Sequence, residues 1–243
     1  MAQADAVSVR RALDFAKSGP YFAVFLILAL VAFWPTYLSV APRASSAYTH
    51  LHALTATLWM CLLIAQPLAI RAKRLPLHRT LGQVSYAVAT AVVISMVLLA
   101  HSRIQRLGAE AYAIQVYVLY LQVSLVALFA LSYGLAIWTR RTSALHARFM
   151  ICTALTLVDP VVIRIMFWLD PTPTWNYQWF TFGLTDVVLL VLIWLERHNR
   201  TGRGVFPVML LVFALAQAPA LFLLTETAPW RAFAAWFAAL PLT

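Results

Sequence analysis

Seven apolar runs of membrane-spanning length dominate this sequence and leave little chain for any other kind of fold. Their bounds are about 21–41, 49–70, 80–101, 112–138, 147–169, 175–195 and 205–225. A helix of about 20 apolar residues crosses the hydrocarbon core of a bilayer. Only 11% of the 243 residues are charged, whereas soluble domains carry about 25%. The sequence therefore predicts an all-α fold, a polytopic transmembrane bundle of seven spans with the lipid bilayer as its main partner.

The runs divide the chain into three parts. Residues 1–20 are predicted to be a cytoplasmic N-terminal segment, with a short interfacial helix over 7–17 because basic residues there can meet lipid headgroups. Residues 21–225 make the seven-helix bundle, whose loops are too short to hold another domain. Residues 226–243 are apolar but too short to cross, so we expect an interfacial C-terminal tail.

Basic residues are distributed unevenly between the two sides of the predicted bundle. Thirteen Lys and Arg residues lie on the side of the N-terminus and of every second loop. The other side carries four, namely Arg43, Arg103, Arg106 and Arg231. Lys and Arg accumulate in cytoplasmic loops. The asymmetry therefore predicts a cytoplasmic N-terminus, an external C-terminus and a place in a bacterial inner membrane.

The formal net charge of +10 raises nucleic acid as a partner class. The basic residues nevertheless lie between apolar runs and lack the interleaved aromatic side chains of a base-stacking surface. Charge that flanks membrane spans and faces anionic headgroups explains them better. We therefore predict no nucleic-acid partner. A second copy of the chain, or a partner in a larger membrane complex, remains open.

Two histidines begin the third and fifth runs on the cytoplasmic side. His78 and His146 each follow a basic loop, and Arg148 lies two residues after His146. Two imidazoles at one depth on two helices can ligate one haem b iron, which needs two axial ligands and an apolar slot. We therefore predict His78, His146 and Arg148 as candidate cofactor-binding residues. The alternative is that both rings are interfacial and bond to backbone or phosphate groups.

A second pair of histidines belongs to the external side. His52 lies one turn inside the second run, and His101 ends the third run. This pair is a candidate metal site, although no carboxylate accompanies it and no H-x-x-x-H pattern occurs. Cys61 and Cys152 do not form a metal-type pair and are expected to act as small buried hydrophobes.

Three ionisable residues fall inside the apolar runs. Asp159 and Arg164 lie in the fifth run, and Asp186 lies in the sixth. Such groups are expensive in hydrocarbon, so they turn inward, pair with one another and often mark a function. We predict a buried polar cluster near mid-depth. The interpretations are an ion pair that fixes helix register, an anion clamp by Arg164, and a proton relay through the aspartates.

Several phrases occur in a distinctive order: His50-Leu-His52, Gln66-Pro67-Leu, Leu-His78-Arg-x-x-Gly82 and His146-x-Arg148-x-Met150, followed by Arg164. Over residues 48–195 the chain resembles a family of uncharacterised bacterial multi-pass membrane proteins. It is more distantly similar to transmembrane b-type cytochromes, which pair histidines on alternate helices. That resemblance implies one haem between His78 and His146. It does not imply a second haem, because the fourth run has no histidine to partner His52.

Three functions follow from these patterns and stay open at this point. The first is a redox protein that binds one haem b, or a quinone, through the helix-end histidines. The second is a proton-coupled small-molecule transporter that uses the intramembrane Asp and Arg residues. The third is an accessory or assembly subunit of a membrane complex. A retinal protein is excluded, because no lysine lies within a run to form a Schiff base.

Overall fold

The computed structural model describes residues 13–40, 45–105, 109–172 and 175–243. These ranges contain nine α-helices and no strand. The helices are α1 (Gly19–Phe33), α2 (Ala47–Arg71), α3 (Leu75–Ile104), α4 (Ala109–Trp138), α5 (Ser143–Leu155), α6 (Val158–Leu169), α7 (Gln178–Glu196), α8 (Val205–Leu221) and α9 (Ala228–Ala238). A π-helical turn, Trp34–Leu38, continues α1.

The helices confirm a multi-pass membrane protein. Within the described ranges, six helical segments are long and apolar enough to cross a bilayer: Gly19–Leu38, Ala47–Arg71, Leu75–Ile104, Ala111–Trp138, Ser143–Leu169 and Gln178–Glu196. The seventh predicted run corresponds to α8, an apolar helix of 17 residues. At 1.5 Å per residue α8 is about 25 Å long, slightly less than the hydrocarbon thickness of about 30 Å.

Apolar side chains cover the outside of the bundle, and small polar side chains lie inside it. Ile114, Leu211 and Leu215 are each more than 60% exposed. By contrast, Ser95, Thr153 and Thr181 are fully buried. This distribution suits lipid as solvent, because apolar surface is stable there and polar side chains gain by hydrogen bonding between helices.

The fifth predicted span is two helices rather than one. The chain leaves helical geometry at Thr156 and Leu157 and resumes it at α6, with Pro160 in the first turn. Proline has no N–H for the carbonyl four residues earlier, and its ring collides with that carbonyl. Pro160 therefore accounts for the break, which begins one turn before the proline. The break lets α5 pack against α4 while α6 packs against α1 and α7.

The two ends of the described chain lie at opposite ends of the bundle. We name the end where α3 and α5 begin the inner end, and the end where α4 and α7 begin the outer end, following the predicted orientation. Phe15 lies beneath the Arg148 guanidinium at the inner end. At the outer end, Trp230 of α9 donates to the carbonyl of Val116 at 3.0 Å. The predicted tail is thus a short helix that packs on the outer ends of α3 and α4.

Some predictions fall partly outside the described residues. The interfacial helix predicted over 7–17 has only its last residues in the structure, where Phe15–Lys17 form a 3₁₀ turn. Arg10, Arg11, Arg43 and Arg106, which contributed to the orientation, lie outside the described ranges.

Candidate functional site

Asp159, in the first turn of α6, is buried and accepts hydrogen bonds from neutral groups. The Thr181 hydroxyl donates to Asp159 Oδ1 at 2.5 Å, and the Gln178 amide donates to the same oxygen. Gln178 also donates to the Thr181 hydroxyl at 2.9 Å. Both partners come from the first turn of α7. The carboxyl group is thereby held between α6 and α7 by two groups that carry no charge.

These contacts set the level of Asp159 against α7. Gln178 is the first residue of α7, so Asp159 lies beside the outer end of that helix. α6 continues for ten more residues, to Leu169, and those residues extend past the first turn of α7. The same residue, Asp159, borders a cavity that is also lined by Ser124, near the middle of α4. The position of Asp159 near mid-depth in the bilayer stays a prediction.

A small cavity separates Asp159 from a second aspartate. It lies among α4, α7, α8 and the break between α5 and α6. Its polar lining residues are Ser124, Asp159, Thr185 and Gln217. The cavity has a volume of about 10 Å³, which is room for about one water molecule. Gln217 also donates to Asp186 at 3.2 Å. The cavity therefore lies between the Asp159 carboxyl group and the Gln217–Asp186 pair.

Arg164 does not pair with either aspartate. Its Nη1 donates to the carbonyl of Pro160, one turn earlier, at 2.6 Å. Its Cζ lies 4.1 Å from the centre of the Phe33 ring at the end of α1. Among the described residues, ion pairs within 4.0 Å join only Lys17 to Asp14 and Arg148 to Glu196. The three residues predicted as one cluster thus have separate partners, and the ion pair proposed to fix their register is not formed.

The outer half of α4 buries two side-chain atoms that have no hydrogen-bond partner among the described residues. They are Gln115 Nε2 and Gln122 Oε1. Buried polar groups are nearly always bonded, and an exception calls for a water, an ion or a ligand. Within the described ranges, these two amides are therefore available to such a partner.

At the inner end a fully buried ion pair joins α5 to α7. Arg148 and Glu196 are each 1% exposed, and Arg148 Nε donates to Glu196 Oε2 at 2.5 Å. Nη2 of Arg148 approaches the same carboxylate, and Nη1 donates to the Ala144 carbonyl. The sequence pointed to Arg148 as a cofactor-binding residue, but Glu196 was missed. An available signal was that Glu196 is an acid at a run end just before Arg197, Arg200 and Arg203.

The loop between α7 and α8 covers this pair. Gly202 has a φ of +83°, and a Cβ at this position would lie 2.8 Å from Arg148 Nη1. Asn199 donates to the second oxygen of Glu196 at 3.4 Å, and the Phe15 ring centre lies 5.0 Å from Arg148 Cζ on another side. Every charged oxygen and most of the guanidinium therefore have protein partners.

His78, also at the inner end, is oriented by Gln66. With the Gln66 amide assigned so that its oxygen accepts from the Gly82 N–H at 2.9 Å, its nitrogen donates to His78 O at 3.2 Å and to His78 Nδ1. The opposite amide orientation would place two oxygens together and two N–H groups together. A ring nitrogen that accepts a hydrogen bond carries no proton. The partners thus assign the proton of neutral His78 to Nε2.

His146 has the opposite tautomer. Its Nδ1 lies 2.8 Å from the carbonyl oxygen of Ala136. A carbonyl only accepts, so Nδ1 carries the proton and Nε2 keeps a free lone pair. Metal-binding histidines usually donate the other ring N–H to such a carbonyl. His146 thus keeps Nε2 free for a ligand, whereas Nδ1 of His78 is bonded to Gln66. Haem binding by His78, His146 and Arg148 stays a prediction.

The two outer histidines are held at different levels. His52 Nδ1 bonds to the Ser95 hydroxyl at 3.1 Å, and His101 Nδ1 bonds to the Thr243 hydroxyl at 2.7 Å. Six residues of α3 separate Ser95 from His101, a rise of about 9 Å. In the described part of the chain no group of three or more His, Cys, Asp or Glu residues is arranged to hold a metal. A metal site made by His52 and His101 stays a prediction.

Comparisons with known proteins add no homologue to this description. The chain matches no protein-family model, no curated protein and no solved structure. A function for this chain therefore has to be inferred from its residues and their geometry.

Proposed function

We propose that this chain is a seven-span inner-membrane protein that couples proton movement to the transport of a small molecule. The observation that carries the proposal is the Asp159 carboxyl group, which is buried, borders a cavity and bonds to two neutral groups. The apolar helix bundle and its membrane-length helices supply the setting for such a carrier.

A carboxylate in this environment favours binding a proton or a cation. Burying an isolated charge is costly, and a carboxyl group without a cationic partner avoids that cost by becoming neutral. Thr181 and Gln178 offer hydrogen bonds but no charge. Arg164 is turned toward Pro160 and Phe33. Asp159 is therefore suited to take up and release a proton when its surroundings change.

The second aspartate gives a route toward the interior. Asp186 lies eight residues beyond Gln178 on α7, about 12 Å deeper by helix rise. Gln217 bonds to it and also lines the cavity next to Asp159. A water molecule bound in that cavity would lie beside both Asp159 and Gln217. The arrangement supports a proton relay over the outer half of the membrane.

Substitution of Asp159 tests the proposal. Purified protein in proteoliposomes that contain a pH-sensitive dye should acidify faster than empty vesicles under an imposed pH gradient. Asp159→Asn should lose most of this flux, because the amide cannot release a proton. Asp170→Asn, at the end of the same helix and outside the cavity lining, is the matched control and should retain it. Equal flux in wild type, Asp159→Asn and empty vesicles would reject proton coupling.

His146 favours a second candidate, a redox protein with one haem b. Its free Nε2 suits an axial ligand, whereas His78 would first have to lose its bond to Gln66. Protein expressed with excess haem and purified should then show a haem absorption spectrum. His146→Gln should abolish the spectrum, while His78→Gln should leave it in place. A colourless protein would leave the carrier as the better explanation.

A further inference from the structure

Arg164 carries a charge at the outer end of the bundle that the described protein does not neutralise. It is half-buried, and among the described residues only its Nη1 has an acceptor, the Pro160 carbonyl of its own helix. Phe33 packs on one face of the guanidinium at 4.1 Å. A cation–π contact of this kind holds the plane of the group but cannot satisfy its N–H donors. The remaining edge of the guanidinium is left for another acceptor.

Two other charged residues act on Arg164. Arg103, near the end of α3, adds a second positive charge, and Asp159 on α6 is an acid that acts in the opposite sense. Asp159 lies one turn and a half earlier on α6, and its Oδ1 bonds to Gln178 and Thr181 rather than to Arg164. A guanidinium group at the edge of a low-dielectric bundle attracts anions strongly.

We propose that Arg164 binds an oxyanion at the outer end of the bundle, either a carboxylate or a phosphate group. Guanidinium has a planar fork that matches both groups with two parallel hydrogen bonds. Two sources share this chemistry: a small organic acid or inorganic phosphate in solution, and the phosphate of a phospholipid headgroup. If the chain is the carrier proposed above, on which this step rests, a soluble anion bound at Arg164 would be the substrate that moves together with the proton on Asp159.

Binding can be measured without any assumption about transport. The full chain, purified in a non-ionic detergent and washed to remove lipid, is titrated with sodium phosphate and with sodium succinate, against sodium chloride at constant ionic strength. Unfolding is followed by tryptophan fluorescence. A soluble oxyanion should raise the Tm of wild type in a saturable way. Arg164→Gln should lose the shift, and Arg164→Lys should bind about tenfold more weakly, because an ammonium group has no fork.

Arg140→Gln is the matched control. Arg140 is an exposed arginine at the inner end that donates to the Tyr86 hydroxyl at 3.4 Å. The substitution removes the same charge from the protein but leaves Arg164 and its contacts intact. The Tm shift caused by the anion should therefore persist. Arg164→Lys retains a positive charge and keeps the measurement valid if Arg164→Gln does not fold.

The lipid source is distinguished by phosphorus analysis and mass spectrometry of the washed protein. If a headgroup is the ligand, wild type and Arg140→Gln should retain a phospholipid that Arg164→Gln and Arg164→Lys lose, and added phosphate should not change Tm. Agreement between wild type and the Arg164 variants in both anion response and retained lipid would overturn the site. The Asp159→Asn variant separates the two proposals. If it binds the anion normally but shows no proton flux, the anion site does not depend on the proposed proton coupling.

Discussion

The two ends of the bundle treat buried charge in opposite ways. At the inner end, Arg148 and Glu196 are fully buried, bonded to each other and covered by the Gly202 loop. At the outer end, Arg164 bonds to its own backbone and Asp159 bonds to neutral side chains. Each end contains an arginine and a carboxylate, on α5 and α7 at the inner end and both on α6 at the outer end. In the part of the chain that the structure describes, only the inner set forms an ion pair.

This contrast separates a structural role from a functional one. A buried pair with complete hydrogen bonding has no remaining capacity for a ligand, and breaking it is costly. A cation and a carboxyl group that are held apart in a low-dielectric setting do not neutralise each other. The cation can then bind an anion, and the carboxyl group can bind a proton. We therefore expect substitutions at the inner end to affect stability, and substitutions at the outer end to affect binding and flux.

The largest expected effect on stability is that of Glu196→Gln. The substitution leaves the buried Arg148 without a counter-ion, and loss of one partner of a buried pair costs roughly 3–5 kcal/mol. The free energy of unfolding, measured by denaturing-detergent titration in mixed micelles, should fall by about that amount. Replacing both residues with apolar ones, Arg148→Met with Glu196→Leu, should restore most of it. A single variant as stable as wild type would show that the ion pair does not stabilise the inner end.

Gly202→Ala should have the next largest effect. The φ of +83° is in the left-handed region, and the new Cβ would lie 2.8 Å from Arg148 Nη1. The backbone strain alone is worth about 1–2 kcal/mol, and Arg148 must also shift. Gly204→Ala in the same loop has φ −78° and no atom within 4 Å of its Cβ. The control should change stability by only about 0.5 kcal/mol. Thermal unfolding of the two variants compares them directly, and equal Tm values would contradict the close contact.

Arg164→Gln should have the smallest effect on stability in lipid-free detergent. It removes a cation–π contact with Phe33 worth about 1 kcal/mol and one bond to a backbone carbonyl that belongs to the same helix. The same titration used for Glu196→Gln should therefore show a loss of about 1 kcal/mol. A loss as large as that of Glu196→Gln would mean that Arg164 is a structural residue, and the contrast between the two ends would disappear.

Part of the architecture was available from the sequence. The number and positions of the apolar runs predicted the membrane-length helices, because the bilayer sets the length of an apolar helix. The break between α5 and α6 lies one turn before Pro160, yet Pro67 and Pro219 stand inside continuous helices, so a proline alone does not tell where a helix breaks. Arg148 drew attention by its place beside His146. Its partner Glu196 lies 48 residues away, and no local pattern connects the two.

The candidate site was predicted less well, for a related reason. The residue types Asp159, Arg164 and Asp186 were identified because ionisable groups stand out in an apolar run. The partners of these residues were not predicted, because they depend on the direction that α6 takes after the break between α5 and α6. This direction places Asp159 beside Gln178 and Arg164 beside Phe33. Likewise, histidine positions were evident, but the tautomers of His78 and His146 depend on Gln66 and Ala136, which belong to other helices.

The sequence by itself determined the solvent of this protein, the helical class, the approximate helix lengths and the few charged groups that hydrocarbon cannot accept. These are properties of single segments, since each helix satisfies its own backbone hydrogen bonds. Only the tertiary structure decided which of those charges meet. An ion pair or a proton site requires atoms within about 3 Å of each other, and contacts at that range are set by the tilt, break and rotation of neighbouring helices.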